Sequence, residues 1–152
     1  MYKNLLALIL AGIMIISGCS SKPNTDQDPR KVVINFFGAM EANDDKAIAH
    51  YIDFERMMKP QTTDYALSGD TARKFSLPTD IIDDLMDGGL TKKRWFSMQR
   101  IVNNSENFGD SASVEVSFIN PTTNTQYLTK FGLRKINDTW KIYSFKMGDG
   151  EK

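Results

Sequence analysis

Four aspartates lie close together in the chain, at spacings of i, i+3, i+4 and i+7: Asp80, Asp83, Asp84 and Asp87. On a helix this spacing places the four carboxylates on one side, where they could collect a cation. A calcium loop needs Asp or Asn at alternate positions followed by Gly, and this stretch lacks that pattern. We therefore interpret the cluster as a solvated helix face whose charge is partly offset by the basic residues 92–94.

The chain contains one histidine, His50. A metal site built from several histidines is therefore excluded, and a histidine-dependent triad would have to use this residue. His50 falls beside the apolar stripe of a predicted helix, and no motif places a serine or cysteine nucleophile near it. We assign it no catalytic role, and we predict neither a metal nor a cofactor.

The single cysteine, Cys19, follows an apolar leader. A short start carrying Lys3, an apolar run over residues 5–16 and then small residues follow the order of a secretory signal. The apolar run is shorter than the roughly twenty residues that a membrane-spanning helix needs. We predict a signal peptide over residues 1–18. With no second cysteine, an internal disulfide is impossible.

The residues Ile16, Ser17, Gly18 and Cys19 resemble the lipobox of bacterial lipoproteins. The resemblance implies cleavage between Gly18 and Cys19, a diacylglyceryl group on the thiol and a fatty acid such as palmitate on the new amino terminus. Two or three chains make dissociation from a bilayer negligible, whereas one chain binds only marginally. The predicted location is extracytoplasmic and lipid-anchored at the cell membrane. Ser20 resembles the signal for the outer membrane in cells that have one. The alternative is a free or intermolecularly bonded thiol.

The mature chain, residues 19–152, has the length of one domain. Removing residues 1–18 removes one lysine and no acid, which leaves 18 basic and 19 acidic residues. This balance gives no electrostatic reason to expect nucleic acid as a partner. Residues 19–27 are polar and predict a flexible tether, residues 28–147 form the domain, and residues 148–152 form a tail.

Helices are predicted in the first half of the domain. Asp28 can cap a helix whose first position is Pro29, and the apolar spacing continues to near Asn43. A second short helix follows, capped by Asn43 or Asp44. Residues 53–77 predict irregular or short helical structure.

A third helix begins around residues 76–79 and is stopped by Gly88 and Gly89. Beyond it the apolar period changes to alternation, which predicts four strands over residues 95–103, 111–119, 126–136 and 140–147. The short turns between them make the strands antiparallel neighbours. Helices followed by such a meander predict an α+β domain with the helices on one face of a curved sheet.

Two stretches resemble the nuclear transport factor two-like superfamily. DPRKVVINFFGAMEANDDKAIAHYI, residues 28–52, resembles its opening helix pair, and KFGLRKINDTWKIYSF, residues 130–145, resembles its last hairpin. The resemblance covers about residues 28–147 in pattern and order, without a catalytic motif, and within the superfamily the chain resembles bacterial lipoproteins that carry a domain of this shape. It implies a cystatin-like cone, in which a curved sheet wraps round a long helix and leaves a cavity at the open end.

Nine residues are predicted to line this cavity and to bind a ligand: Phe36, Phe37, Tyr51, Phe96, Met98, Val116, Phe118, Phe131 and Trp140. The alternative, which we favour, is that they fill the core, because aromatic and methionine side chains at regular spacing usually fill space.

Enzymes of this superfamily, such as ketosteroid isomerases and scytalone dehydratases, work with a Tyr, Asp or His inside the cone. The resemblance implies Asp53, Tyr51 and Tyr65 as the candidates here, and none of them matches a motif.

We predict a non-catalytic, lipid-anchored envelope protein whose domain binds a hydrophobic small molecule or an envelope protein. The alternatives are an isomerase or hydro-lyase in the same cavity, and a structural adaptor that uses the outer sheet face. That face could also support a homodimer.

Overall fold

The computed structural model describes residues 28–59 and 75–147, in which five helices precede four strands. The helices are α1 (Pro29–Ala42), α2 (Asp45–Tyr51), α3 (Phe54–Met57), α4 (Pro78–Leu85) and α5 (Leu90–Phe96). The strands are β1 (Gln99–Asn107), β2 (Ser111–Ile119), β3 (Gln126–Ile136) and β4 (Thr139–Met147). The predicted signal peptide, Cys19, the tether, Tyr65 and the tail lie outside the described residues. None of the described helices has the length and apolar character needed to cross a bilayer.

Local capping determines where the first two helices begin. The side chain of Asp28 accepts a hydrogen bond of 3.0 Å from the backbone N–H of Arg30, and Pro29 occupies the first turn of α1. Asn43 ends α1 in the left-handed conformation, with φ of 54°. Asp44 then caps α2. The predicted helix pair is confirmed, and of the two predicted caps Asp44 is the one used.

The prediction of a strand from residue 95 is wrong, because residues 90–96 form α5 and β1 begins at Gln99. The N-cap position of α5 is Gly89, which has no side chain to cap the helix. Asp84 of α4 supplies the missing acceptor instead. Its Oδ1 accepts from the backbone N–H groups of Leu90 and Thr91 at 3.1 and 3.4 Å, and its Oδ2 accepts from the Thr91 hydroxyl. The sequence around residue 90 therefore carries no local start signal.

The interpretation of the four aspartates as one solvated face is wrong for Asp84, whose exposed fraction is 3%. The Asp80 carboxylate caps α4 by accepting from two backbone N–H groups at 2.8 Å. Asp87 forms an ion pair of 2.8 Å with Lys92, and hydrogen bonds from Lys92 and then Asn43 lower the pKa of its carboxyl. Asp83 is exposed. Within residues 28–59 and 75–147, no cluster of three or more His, Cys, Asp or Glu side chains could hold a metal ion.

Replacing Asp84 with alanine should lower the free energy of unfolding by about 1–3 kcal/mol, because it leaves two backbone donors and a buried hydroxyl without their acceptor. Urea denaturation followed by circular dichroism measures the change. Asp83→Ala, one residue earlier on the exposed side of α4, is the matched control and should change stability by less than about 0.5 kcal/mol. Equal effects of the two substitutions would contradict the capping role of Asp84.

The four strands form one antiparallel sheet in the order β1-β2-β3-β4. The register is interrupted between Val102 and Ser105 of β1 and between Gly132 and Leu133 of β3. Such irregularities bend a strand and increase its twist. α1 packs on the resulting concave face and contacts β1, β2 and β4. The predicted α+β architecture, with helices on one face of an antiparallel sheet, is confirmed.

Aromatic rings fill the space between α1, α5 and the concave face. The rings belong to buried residues of both layers: Phe36, Phe37, Trp95, Phe118, Phe131 and Phe145. Their centroids lie between 4.8 and 6.3 Å apart where they contact, mostly edge to face or tilted. Contacts of this kind add to the free energy gained from burying the rings.

Candidate ligand-binding site

Strand register identifies the side chains that share the concave face. Arg100 of β1 lies opposite Phe118 of β2, and Val116, two residues earlier on β2, lies opposite Thr129 of β3. Side chains of directly opposed residues point to the same face, as do residues two apart on one strand. Arg100 and Thr129 therefore lie on the face that carries Phe118 and Phe131.

The structure places the nine predicted lining residues in two groups. Seven are buried members of the core: Phe36, Phe37, Met98, Val116, Phe118, Phe131 and Trp140. Tyr51 and Phe96 are half-buried and pack against that core. The packing agrees with the space-filling interpretation, and ligand contact by these residues stays a prediction.

Trp95 has an unusual polar atom for a residue at the centre of an apolar core. Its side chain is fully buried, stacked on Phe118 at 5.3 Å and edge to face with Phe145 at 5.3 Å. Its indole Nε1–H has no hydrogen-bond partner among the described residues. An indole N–H is a donor only and usually finds an acceptor when it is buried.

Thr129 presents a second buried polar atom. The residue is fully buried on the concave face of β3, two positions before Phe131, and its Oγ1 has no partner among the described residues. A valine would have nearly the same shape without the cost of burying a hydroxyl. In the described part of the chain, the remaining buried atom of this kind is Nε of Arg30, whose Nη2 donates to the carbonyl oxygen of Val102 at 3.2 Å.

Arg100 places a cation at the edge of the aromatic core. Its Nη1 donates to the carbonyl oxygens of Trp95 and Met98 at 3.1 and 3.3 Å. Its guanidinium carbon lies 3.8 Å from the centroid of the Phe96 ring and 5.9 Å from that of Phe37. The guanidinium is therefore held in one orientation by two carbonyls and a ring face.

Comparison with known proteins concerns the fold. No family model and no curated protein matches the chain. Among solved structures, the chain is similar to an NTF2-like protein of unknown function from Shewanella baltica, with a TM-score of 0.50 and 10% identity over 82% of this chain and 92% of that one. It is also similar to a five-substitution variant of Rd1NTF2_05, with a TM-score of 0.52 and 16% identity over 78% and 95% of the two chains. The chain has the NTF2-like fold. At these identities the likeness concerns the fold alone.

Asp53, the carboxylate implied for an enzymatic cone, has structural partners at both oxygens. One oxygen caps α3 by accepting from the backbone N–H of Arg56 at 3.2 Å, and the other pairs with the Arg134 guanidinium. The backbone N–H of Asp53 donates to the carbonyl of Ile142 at 2.8 Å, which ties the residue to β4. The hydrogen bond to Asp53 raises the pKa of Arg134. A carboxylate held in this way is poorly placed to accept a proton from a substrate.

His50 lies at the surface of the cone, outside the aromatic core. Its ring is exposed and meets the Tyr51 ring edge to face at 5.3 Å. Its backbone carbonyl accepts a hydrogen bond from the Lys141 ammonium group. Partial burial, and next the charge of Lys141, lower the pKa of the imidazole. No serine or cysteine hydrogen-bonds to His50 in the described part of the chain, so the structure adds no catalytic arrangement to it.

Proposed function

We propose that this chain is a lipid-anchored envelope protein whose cone domain binds a hydrophobic small molecule without transforming it. The anchor is Cys19 within the sequence ISGC, which follows the apolar leader. The proposed location is the extracytoplasmic side of the cell membrane, or the outer membrane where the cell has one.

The binding role rests on one observation: two buried polar atoms, Trp95 Nε1 and Thr129 Oγ1, have no hydrogen-bond partner among the described residues. Leaving a polar group buried without a partner costs about 1–3 kcal/mol. Native structures contain few such groups, and those that persist call for a particular cause, such as a functional role. A hydrophobic ligand carrying a polar group would supply partners in a site whose walls are otherwise apolar.

The same observation favours a small ligand over a protein partner. Trp95 and Thr129 have no exposed surface, so a protein bound to the outside of the cone could not reach their polar atoms. A small molecule could reach them by displacing the aromatic rings that pack between α5 and the sheet. The binding of Asp53 by Arg134 and by the α3 backbone weighs against the isomerase or hydro-lyase alternative.

Thr129→Val should reduce the amount of small molecule that travels with the protein while leaving its fold intact. We expect the free energy of unfolding without ligand to stay unchanged or to rise by up to about 1 kcal/mol, because a buried unpartnered hydroxyl is replaced by a methyl group. Native mass spectrometry of the full chain, purified from its own membranes in mild detergent, measures the bound mass. Urea denaturation measures the stability.

Thr122→Val, in the exposed turn between β2 and β3, is the matched control and should retain the full bound mass. Wild-type protein that carries no small molecule would contradict the binding proposal. So would a Thr129→Val protein that retains the wild-type occupancy and loses stability, because the hydroxyl would then have a structural partner.

A further inference from the structure

We propose that Arg100 is the headgroup site of this cone and that the ligand is an amphiphile with a carboxylate at one end and a mainly apolar chain, which carries the polar group proposed above for Trp95 and Thr129. The inference rests on the proposed function and adds the chemical class of the ligand. Three observations support it: the position of Arg100, its hydrogen-bond donors that no described residue uses, and the lack of an anionic partner for it among the described residues.

Arg100 lies where the apolar interior meets solvent. It is half-buried at the start of β1, directly opposite the fully buried Phe118. The half-buried Phe96 covers one face of its guanidinium. An amphiphile needs this arrangement, a charged group at the edge and an apolar wall next to it, because its chain leaves water while its head stays at the boundary.

The guanidinium presents one complete edge for binding. Nη1 is used by the carbonyls of Trp95 and Met98, whereas Nε and Nη2 make no hydrogen bond to any described residue. Nε–H and one N–H of Nη2 lie in the guanidinium plane and point in the same direction along one edge, where they form a two-pronged donor. A carboxylate accepts such a donor with both oxygens, and the stacked, anchored guanidinium loses little freedom when it does so.

Arg100 forms no ion pair with any acid in residues 28–59 or 75–147. The charge of Glu41 acts on Arg100, yet no ion pair joins the two residues and Glu41 is exposed. Burial lowers the pKa of Arg100, and the charge of Glu41 opposes that shift. An incoming carboxylate would provide the missing counterion. Because Glu41 would repel a second negative charge, a monoanionic head fits better than a dianionic phosphate.

The competing interpretation gives Arg100 a purely structural role, in which it ties the corner between α5 and β1 through the two carbonyls. That role predicts a loss of stability when Arg100 is replaced. It predicts no preference for a charged ligand over a neutral one of the same length. Comparing two such ligands therefore separates the two interpretations.

The test uses decanoate and decanol, which share a chain length and differ in the head. Isothermal titration calorimetry of the full chain in phosphatidylcholine nanodiscs, with empty nanodiscs subtracted, gives both affinities. We expect decanoate to bind about tenfold more tightly than decanol, the effect of one charge-assisted hydrogen-bonded pair. In Arg100→Gln the preference should disappear, with decanol affinity unchanged.

Two further variants complete the test. Lys93→Gln removes an exposed charge from α5 and should leave the decanoate preference intact. Glu41→Gln removes the repelling charge and should strengthen decanoate binding without affecting decanol. If Arg100→Gln does not fold, Glu41→Gln decides the question.

Equal wild-type affinities, or a preference that survives Arg100→Gln, would overturn the headgroup site and leave the proposed function standing. Failure of both ligands to bind would also overturn the headgroup site, whereas the proposed function is judged separately by the small molecule that travels with the purified protein.

Discussion

Replacing Phe131 with alanine should lower the free energy of unfolding by about 3–5 kcal/mol, the largest stability effect that we expect from a single substitution in the described domain. Phe131 is fully buried and its ring contacts four others: Phe36, Phe37, Trp95 and Phe145, with centroids at 6.3, 5.7, 5.6 and 4.8 Å. Truncation removes the buried ring and leaves a cavity between helix and sheet that the neighbouring aromatic rings fill only in part. Urea denaturation followed by circular dichroism gives the change.

Phe108→Ala is the matched control for this substitution. Phe108 lies in the turn between β1 and β2 with 64% of its surface exposed, so its removal should change stability by less than about 0.5 kcal/mol. A loss below about 1 kcal/mol for Phe131→Ala would show that the aromatic cluster is loosely packed, contrary to the ring distances.

Cys19→Ala should abolish attachment of fatty acid and leave the chain uncut. The proposed lipidation forms on the thiol, and cleavage before residue 19 depends on it, so no partial effect is expected. The variant should also lose stable membrane binding, because two or three acyl chains are needed for it and a single chain binds only marginally. Incorporation of an alkyne-labelled palmitate measures the modification, and the mobility of the chain on a gel measures cleavage.

Ser20→Ala keeps the thiol and provides the matched control, in which labelling and cleavage should both persist. Undiminished palmitate incorporation into Cys19→Ala would refute the anchor. The binding proposal would be unaffected, because it depends on residues of the described domain.

Helices and strands whose ends are marked by neighbouring residues, such as a capping residue or a turn, could be predicted from the sequence. The start of α1 follows from an aspartate before a proline, and the strands β2 and β3 match the predicted residues because alternating side chains and short turns mark them. α5 could not be predicted in this way. Its cap comes from Asp84, six residues before Leu90, and the buried carboxylate is recognisable only once α4 and α5 are packed together.

The candidate site was predicted only in its apolar part. In the sequence, its polar residues are recognisable only as exceptions to the apolar residues at the inward-facing strand positions. Thr129 interrupts the inward-facing sequence of β3 between Tyr127 and Phe131, and Arg100 occupies an inward position two residues before Val102. Thr129 is informative because it is buried without a partner in residues 28–59 and 75–147. That property depends on side chains from several elements and is not encoded locally.

The central claim is that the buried indole of Trp95 donates a hydrogen bond to a bound small molecule. The indole N–H resonance of Trp95, assigned by its absence in Trp95→Phe, tests this claim most directly. Spectra of ¹⁵N-labelled full chain are compared as purified from its own membranes and after removal of bound small molecules. We predict that the Trp95 signal lies downfield in the loaded protein while that of Trp140 is unchanged. A Trp95 signal that is the same in both samples would contradict the account.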